Sequence, residues 1–169
     1  MEDMRHTMEE IVTQYEGELL RYASRLVNGR AAAEDVVQNV FVKLFRLWDG
    51  ESSPSVKLRS WLFRVTHNEA VDYVRRESRL SLLHRKQAED VCVMKCECDD
   101  GYAERLALVL KYLKRLHPRE QQVVTLRLEH GMSYQQIAEI TGRKASYVGN
   151  ILHYAVQKLS LILQKEGVI

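Results

Sequence analysis

Proline and glycine are scarce in this chain of 169 residues, which contains two prolines and eight glycines. Both residue types interrupt helices, proline because it lacks a backbone N–H and glycine because it loses more conformational freedom on folding. The sequence also lacks an internal repeat and any useful length of the apolar-polar alternation that is typical of strands. We therefore predict an all-α fold.

No apolar run approaches the roughly 20 residues that span a bilayer, and residues 1–10 lack the apolar stretch of a signal peptide. The three cysteines, Cys92, Cys96 and Cys98, are odd in number and lack the CxxC spacing of many metal sites. We expect a cytoplasmic protein without membrane insertion, with reduced thiols, no bound metal and no cofactor.

Paired carboxylates for acid-base catalysis and a glycine-rich phosphate loop are also missing. We therefore do not expect an enzyme and assign no catalytic residue. Charge instead occurs in blocks: residues 51–86 contain eight basic and four acidic side chains, residues 87–103 one and five, and residues 104–169 ten and five. Two basic blocks around an acidic strip fit a protein that binds both phosphates and basic proteins.

Apolar residues recur every three or four positions in three segments of the first half, which predicts three helices. These run from about Met8 to Val27, from about Ala31 to Trp48 and from Leu58 to about Arg79. Thr7 and Glu10 have the spacing of a capping box at the start of the first helix. The side chains expected to face a core are Ile11, Tyr15, Leu19, Tyr22, Leu26, Val37, Phe41, Leu44, Trp48, Phe63, Ala70 and Val74.

Clear periodicity is absent between Arg79 and Gly101, an acidic segment that contains the cysteines. Such a segment is typical of a linker. We predict two small helical modules, residues 1–80 and residues 102–169, joined by an acidic flexible linker at residues 81–101.

The second module has the pattern of a helix-turn-helix. Pro118 suits the first turn of a helix that ends near Gly131. Ser133 begins a second capping box and a short helix, Gly142 ends that helix, and a last helix runs from about Lys144 to Lys165. The second of two such helices can present its outer face to a major groove. An ordinary helical hairpin is the alternative.

This module resembles region 4 of extracytoplasmic-function sigma factors. The resemblance rests on residues 116–121, 126–128 and 131–139, which read LHPREQ, LRL and GMSYQQIAE. LuxR-type regulators share much of this pattern, and the first module separates the two families. Residues 33–44 are similar to sigma region 2.2, and SWLFRV and AVDYVRR within residues 60–76 are similar to regions 2.3 and 2.4.

The matches cover most of the chain in the order of an extracytoplasmic-function (group 4) sigma factor of the sigma-70 family. The resemblance implies a region 2 helical bundle and a region 4 helix-turn-helix. It implies that the protein directs promoter recognition and transcription initiation by binding core RNA polymerase, through the β and β′ subunits, and the −10 and −35 elements of promoter DNA. An anti-sigma factor is a further implied partner.

For region 2.2 the resemblance implies contact between core polymerase and Asp35, Gln38 and Asn39. Asp35 and Gln38 are three residues apart and therefore lie on one face of a helix. Asn39 stands where the family usually has Glu, so one charge-assisted contact is missing there.

For regions 2.3 and 2.4 the resemblance implies melting of the −10 element, with a base held out of the stack. This needs stacking surfaces, amide groups for base edges and cations for the exposed strand. Leu58 stands where the family often has Phe. The residues expected to bind the −10 element are Leu58, Trp61, Arg64, Asn68, Arg75, Arg76 and Arg79.

For region 4 the resemblance implies that the last helix reads the −35 element as a duplex. The residues expected to bind it are Arg143, Lys144, Gly149, Asn150, His153 and Tyr154. Gly149, Ile151 and Tyr154 stand where the family pattern is commonly basic. Since each phosphate contact strengthens binding, we expect duplex binding by this module to be modest.

Two other functions stay open from the sequence. One is a helix-turn-helix transcriptional regulator that binds DNA without joining polymerase, which the LuxR-like pattern of the second module allows. The other is a helical adaptor that does not bind DNA, which the scarcity of charge on the last helix favours.

Overall fold

The computed structural model of the chain describes residues 2–47, 56–83, 108–109 and 111–167. Trp48, the three cysteines and residues 84–101 of the predicted linker lie outside them. Within these ranges the chain forms helices and no strand, so the all-α prediction is confirmed. Six helices within the described ranges form the two modules: α1 (Glu2–Leu26), α2 (Arg30–Leu47), α3 (Val56–Leu83), α4 (Pro118–Leu128), α5 (Tyr134–Thr141) and α6 (Ala145–Lys165).

The chain divides into two compact units, Met1–Val93 and Met94–Ile169. In the first unit α1, α2 and α3 each pack against the other two. Their apolar stripes meet in one core, which buries Ile11, Tyr15, Leu19, Tyr22, Ala33, Val36, Val37, Val40, Leu44, Leu58, Leu62, Phe63 and Ala70.

The start of α1 and the exposure of Val74 on α3 differ from the sequence-based expectation. The helix begins at Glu2, so Thr7 lies inside it and the capping box predicted at Thr7 is wrong. Residues 2–7 contain no proline or glycine that would stop a helix there. Val74 is 39% exposed, so the prediction that it faces the core is wrong. No side chain of α3 from residue 71 to residue 80 is buried, so this part of the helix extends past the core.

Polar contacts inside the first unit join α3 to its neighbours. The Tyr22 hydroxyl lies 2.9 Å from Nδ1 of His67, and both side chains are buried. Burial raises the pKa of Tyr22, so its phenol keeps its proton. Arg59 on α3 pairs with Glu18 on α1 at 2.9 Å, and Lys43 on α2 pairs with Glu69 on α3. These contacts fix the rotation of α3 about its own axis.

In the second unit α4, α5 and α6 pack against one another. The prediction that Pro118 occupies a first helical turn is confirmed, since it is the first residue of α4. The carboxylate of Glu120 accepts the N–H of His117 at 3.0 Å. The buried apolar residues include Val123, Val124, Leu126, Met132, Ile137, Ala138, Ile140, Val148, Leu152, Ala155 and Leu159.

The start of α5 and the turn between α5 and α6 form as the sequence predicts. The Ser133 hydroxyl accepts the N–H of Gln136 at 3.2 Å, and the N–H of Ser133 donates to the Gln136 side chain at 2.9 Å, so the second capping box is confirmed. Gly142 ends α5 with a φ of 66°, in the left-handed region that side chains with a Cβ disfavour. α6 then starts at Ala145 with Lys144 as its N-cap.

Gly142→Ala should lower the free energy of unfolding by about 1 kcal/mol, because alanine is disfavoured at this positive φ. A Cβ at Gly142 would meet nothing within 4 Å, so backbone conformation alone would cause the loss. Gly17→Ala is the matched control: Gly17 is exposed within α1, and alanine there should stabilise the protein by about 0.5–1 kcal/mol. Urea denaturation of both variants checks these opposite signs, and equal signs would contradict them.

Candidate nucleic-acid interface

The outer face of α2 presents three polar side chains, at positions 35, 38 and 39. Asp35, Gln38 and Asn39 are all exposed, while Val36 and Val37 between them are buried. The alternation of buried and exposed positions follows the helical period. The helix therefore aims an unburied carboxylate and two amides outward, as the sequence predicts.

This face of α2 lies close to α3. Burial raises the pKa of Tyr73 on α3, the charge and hydrogen bond of Glu77 raise it further, and the charge of Asp35 adds to this, while Arg76 lowers it. Asp35 on α2 and Arg76 on α3 therefore both act on the hydroxyl of Tyr73. The surface thus carries acidic and basic groups from two helices.

One side of α3 carries the arginines that the sequence singles out. Arg64, Asn68, Arg75, Arg76 and Arg79 are all exposed. Positions 64, 68, 75 and 79 recur at the helical period, so they form a line that extends over about 22 Å at 1.5 Å per residue. A row of cations on a rigid helix is suited to a nucleic-acid backbone.

Two residues at the start of this face differ from the arginines. Trp61 is half-buried, so part of its ring is available for stacking. Leu58 is only 9% exposed and packs into the core of the first unit. Leu58 therefore belongs to the buried side of α3, and its contact with the −10 element stays a prediction.

Arg75 and Arg76 on the outer face of α3 are only weakly engaged by their neighbours. Arg75 lies 3.7 Å from Asp72, and both side chains are largely exposed. Exposed pairs of this kind contribute about 0–1 kcal/mol. Arg76 donates from Nε to the backbone oxygen of Asp72 at 3.4 Å. An incoming phosphate can therefore compete for both guanidinium groups.

In the second unit, α6 turns the predicted −35 residues outward. Asn150, His153 and Tyr154 are exposed, and His153 meets the Tyr154 ring edge-on at 5.6 Å between centroids. Gly149 is half-buried: a Cβ there would lie 3.6 Å from the ring of Tyr134. Val148 and Leu152 on the opposite side are buried.

The start of α6 gathers two basic residues. Lys144 is exposed at the N-cap, and the guanidinium of Arg143 lies 5.5 Å from the ring centroid of Tyr147. The first turn of a helix also presents free N–H groups and the positive end of the helix dipole. This end of α6 is therefore suited to bind a phosphate group.

Sequence reasoning did not single out Gln157 and Tyr134, which both adjoin this surface. Nε2 of Gln157 lies 3.1 Å from Nε2 of His153, and their four-residue spacing was a signal that could have found the pair. Tyr134 contacts Gly149 from another helix and lies under the guanidinium of Arg127 at 5.4 Å. No pattern in the sequence links these residues.

Lys158 on α6 is held by an acidic residue of α4. Its ammonium group bonds the carboxylate of Glu120, which is mostly buried. Burial alone would raise the pKa of Glu120, but the hydrogen bonds from Lys158 and from the His117 N–H hold it below its ordinary value. This pair joins α4 to α6 and reduces the cations available on α6.

Among the residues with a described position, no three His, Cys, Asp or Glu side chains come together as a metal site. The same part of the chain contains no helix with both the length and the apolar character needed to cross a membrane.

Comparison with known proteins gives two family matches. Residues 11–80 match the family model for sigma-70 region 2, and residues 112–160 match the model for sigma-70 region 4. The chain is 32% identical over 151 residues to the RNA polymerase sigma-E factor of Streptomyces avermitilis, covering 89% of this chain and 82% of that protein. It is 31% identical over 163 residues to the ECF RNA polymerase sigma factor SigL of Mycobacterium tuberculosis, covering 95% and 91%.

Two solved structures share the fold. One is the sigma factor RpoE of Bartonella quintana in complex with the anti-sigma factor NepR, with a TM-score of 0.76, 22% identity and coverage of 92% of this chain and 96% of that chain. The other is CnrH in complex with the cytosolic domain of CnrY, with a TM-score of 0.63, 24% identity and coverage of 95% and 90%.

These features define a helix-turn-helix protein of two helical modules. The chain belongs to the RNA polymerase sigma factors of the extracytoplasmic-function type. The alternative, a regulator that never joins polymerase, is not favoured, because the region 2 match accounts for the first module.

Glu120→Gln should lower the stability of the protein at pH 7 and make no difference at low pH. Since folding lowers the pKa of Glu120, its charge stabilises the native state above the ordinary glutamate pKa of about 4.3, and this contribution is lost as the pH falls through the folded value. The glutamine oxygen can still accept the His117 N–H, so the change removes the charge and the hydrogen bond that the other oxygen accepts from Lys158.

Denaturation of wild type and variant from pH 7 to pH 3 measures this difference. The control is Glu139→Gln on the exposed side of α5, which should change stability by less than about 0.5 kcal/mol across the range. A Glu120→Gln effect that does not shrink with falling pH would show that Glu120 acts through packing.

Proposed function

We propose that this chain directs promoter recognition and transcription initiation by joining core RNA polymerase and contacting the −10 and −35 elements. The observation that carries the proposal is the outer face of α3, where arginines and Asn68 follow a half-exposed Trp61. An aromatic surface, an amide and several cations on one rigid helix are the groups that an unpaired strand needs.

The polymerase binds at α2. Asp35, Gln38 and Asn39 are exposed side by side, and their chemistry suits a basic helical partner such as a coiled coil of the β′ subunit, with the β subunit as a second contact of the complex. Asn39 has no charge, so Asp35 supplies the main electrostatic attraction of this surface.

The opened DNA strand binds at α3. Trp61 offers a ring on which an extruded base can stack, and Asn68 offers an amide for a base edge. Arg64, Arg75 and Arg79 can hold the backbone of the displaced strand. The energy for unpairing then comes from contacts that exist only with the opened DNA.

The second unit recognises the −35 element as a duplex. Arg143 and Lys144 can hold phosphates at the start of α6, while Asn150, His153 and Tyr154 face outward for base edges. Gly149 contributes space for Tyr134 and no side chain of its own.

The domain assignment follows from these roles. Residues 1–80 correspond to region 2 and residues 102–169 to region 4, with residues 81–101 as the linker. The closest fit within the sigma-70 family is group 4. The protein has no reaction of its own, since the polymerase joins the nucleotides, and it acts in the cytoplasm, where the polymerase is.

An anti-sigma factor is a further partner. Two structures with this fold contain a sigma factor bound to an anti-sigma protein or to the cytosolic domain of a second protein. Such a partner would act by covering the polar face of α2 or the outer face of α6.

Asp35→Lys should weaken the complex with core polymerase at least tenfold, because it replaces an attraction by a repulsion. Glu16→Lys makes the same charge change on the exposed side of α1 and should leave the affinity within twofold. Fluorescence anisotropy of the labelled chain against purified core polymerase measures both. Equal weakening in both variants would mean that net charge, and not the α2 face, governs binding.

Arg75→Ala combined with Arg76→Ala should reduce open-complex formation and its dependence on salt. Two lost contacts to a single strand lower the slope of log affinity against log salt by about 1.4. Permanganate reactivity of −10 thymines, measured with the holoenzyme across a salt series, reports both effects. Lys114→Ala with Lys165→Ala removes two exposed cations from the second unit and is the control. An unchanged slope in the arginine variant would exclude these side chains from the DNA contact.

A further inference from the structure

The outer face of α6 contains no lysine or arginine between Ser146 and Gln157. The exposed side chains on this face are Ser146, Tyr147, Asn150, His153, Tyr154 and Gln157. A helix in the major groove reads guanine chiefly through Arg or Lys, whose N–H groups reach O6 and N7. This face therefore lacks the usual groups for recognising a G·C pair.

The cations next to this face are placed for other contacts. Lys158 is held by Glu120, and Arg127 donates from Nη1 to the backbone oxygen of Met132 at 2.8 Å. Arg143 and Lys144 lie before the first turn of α6, where phosphate oxygens bind, and the guanidinium of Arg143 lies 5.5 Å from the ring centroid of Tyr147 at this end of the face. These cations are suited to the DNA backbone, which gives affinity without reading the sequence.

Asn150 lies in the middle of the face. Its carboxamide can donate to N7 and accept from N6 of adenine at the same time, a pairing that no other base offers in the major groove. The side chain is exposed and uncharged, so it lacks the electrostatic attraction that draws Arg and Lys to phosphates. It is therefore the best-placed base reader on α6.

Two tyrosines flank Asn150, one turn before it and one turn after it. Tyr147 is 47% exposed and Tyr154 is 60% exposed. At 1.5 Å per residue they lie about 10 Å apart along the helix, so the two rings can reach different base pairs. Both rings offer apolar surface, which favours the thymine methyl group over the polar edge of a G·C pair.

We propose that α6 reads a −35 element made of A·T base pairs, with an adenine bonded by Asn150 and thymine methyl groups packed against Tyr147 and Tyr154. This inference rests on the proposed function and names the class of DNA sequence that this helix binds. The specificity comes from one amide and two aromatic rings.

Holoenzyme assembled from the full chain and core polymerase tests the sequence preference. A promoter library with a randomised −35 segment and a fixed, functional −10 element is transcribed, and the transcribed templates are sequenced. A run of at least three A·T pairs should be enriched, and a selection without such a run would overturn the inference. A library that gives no transcription above core polymerase alone would instead overturn the proposed function.

Substitution of Asn150 locates the preference on the protein, since A·T enrichment alone can reflect DNA shape. Asn150→Arg should change one position of the run from adenine to guanine, by about 5- to 150-fold. Gln164→Arg adds the same charge about 21 Å further along α6 and should leave the selected sequence unchanged. If Asn150→Arg strengthens all sequences equally, Asn150 does not read a base.

Discussion

The burial of one stripe of α3 against α1 and α2 is the constraint on which the first unit depends. Phe63, Thr66 and Ala70 are fully enclosed, and the hydrogen bond between Tyr22 and His67 ties α3 to α1 inside the core. A buried polar pair that loses its partner costs about 1–3 kcal/mol, so α3 has one favourable rotation. In that rotation the line of exposed residues 64, 68, 75 and 79 faces solvent.

A comparable constraint in the second unit determines the character of the DNA-facing helix. The ion pair between Lys158 and Glu120 stabilises the packing of α6 on α4, and it engages the cation that follows Gln157, the last residue of the outer face. The ring of Tyr134 fills the space beside Gly149 that a longer side chain would occupy. The contacts that hold α6 in place engage Lys158, and the outer face between Ser146 and Gln157 has no lysine or arginine of its own.

The two units consequently differ in how they would contact DNA. α3 is rich in cations and suits the backbone of a single strand, whereas α6 is poor in cations and suits a few base edges. A weak duplex contact is sufficient when polymerase holds both units on one promoter, because tethering raises the effective concentration of the second site. Base reading by α6 can then select a promoter without contributing much affinity.

The sequence by itself determined the helices, the Ser133 and Pro118 starts, the Gly142 stop and the outward direction of Asp35, Arg64 and Asn150. All of these follow from local periodicity and from caps within a few residues. Only the tertiary structure decided that Val74 is exposed, that Leu58 is buried, and that Lys158 is held by Glu120. Those outcomes depend on where neighbouring helices begin and end, because side chains far apart in the sequence meet only after packing.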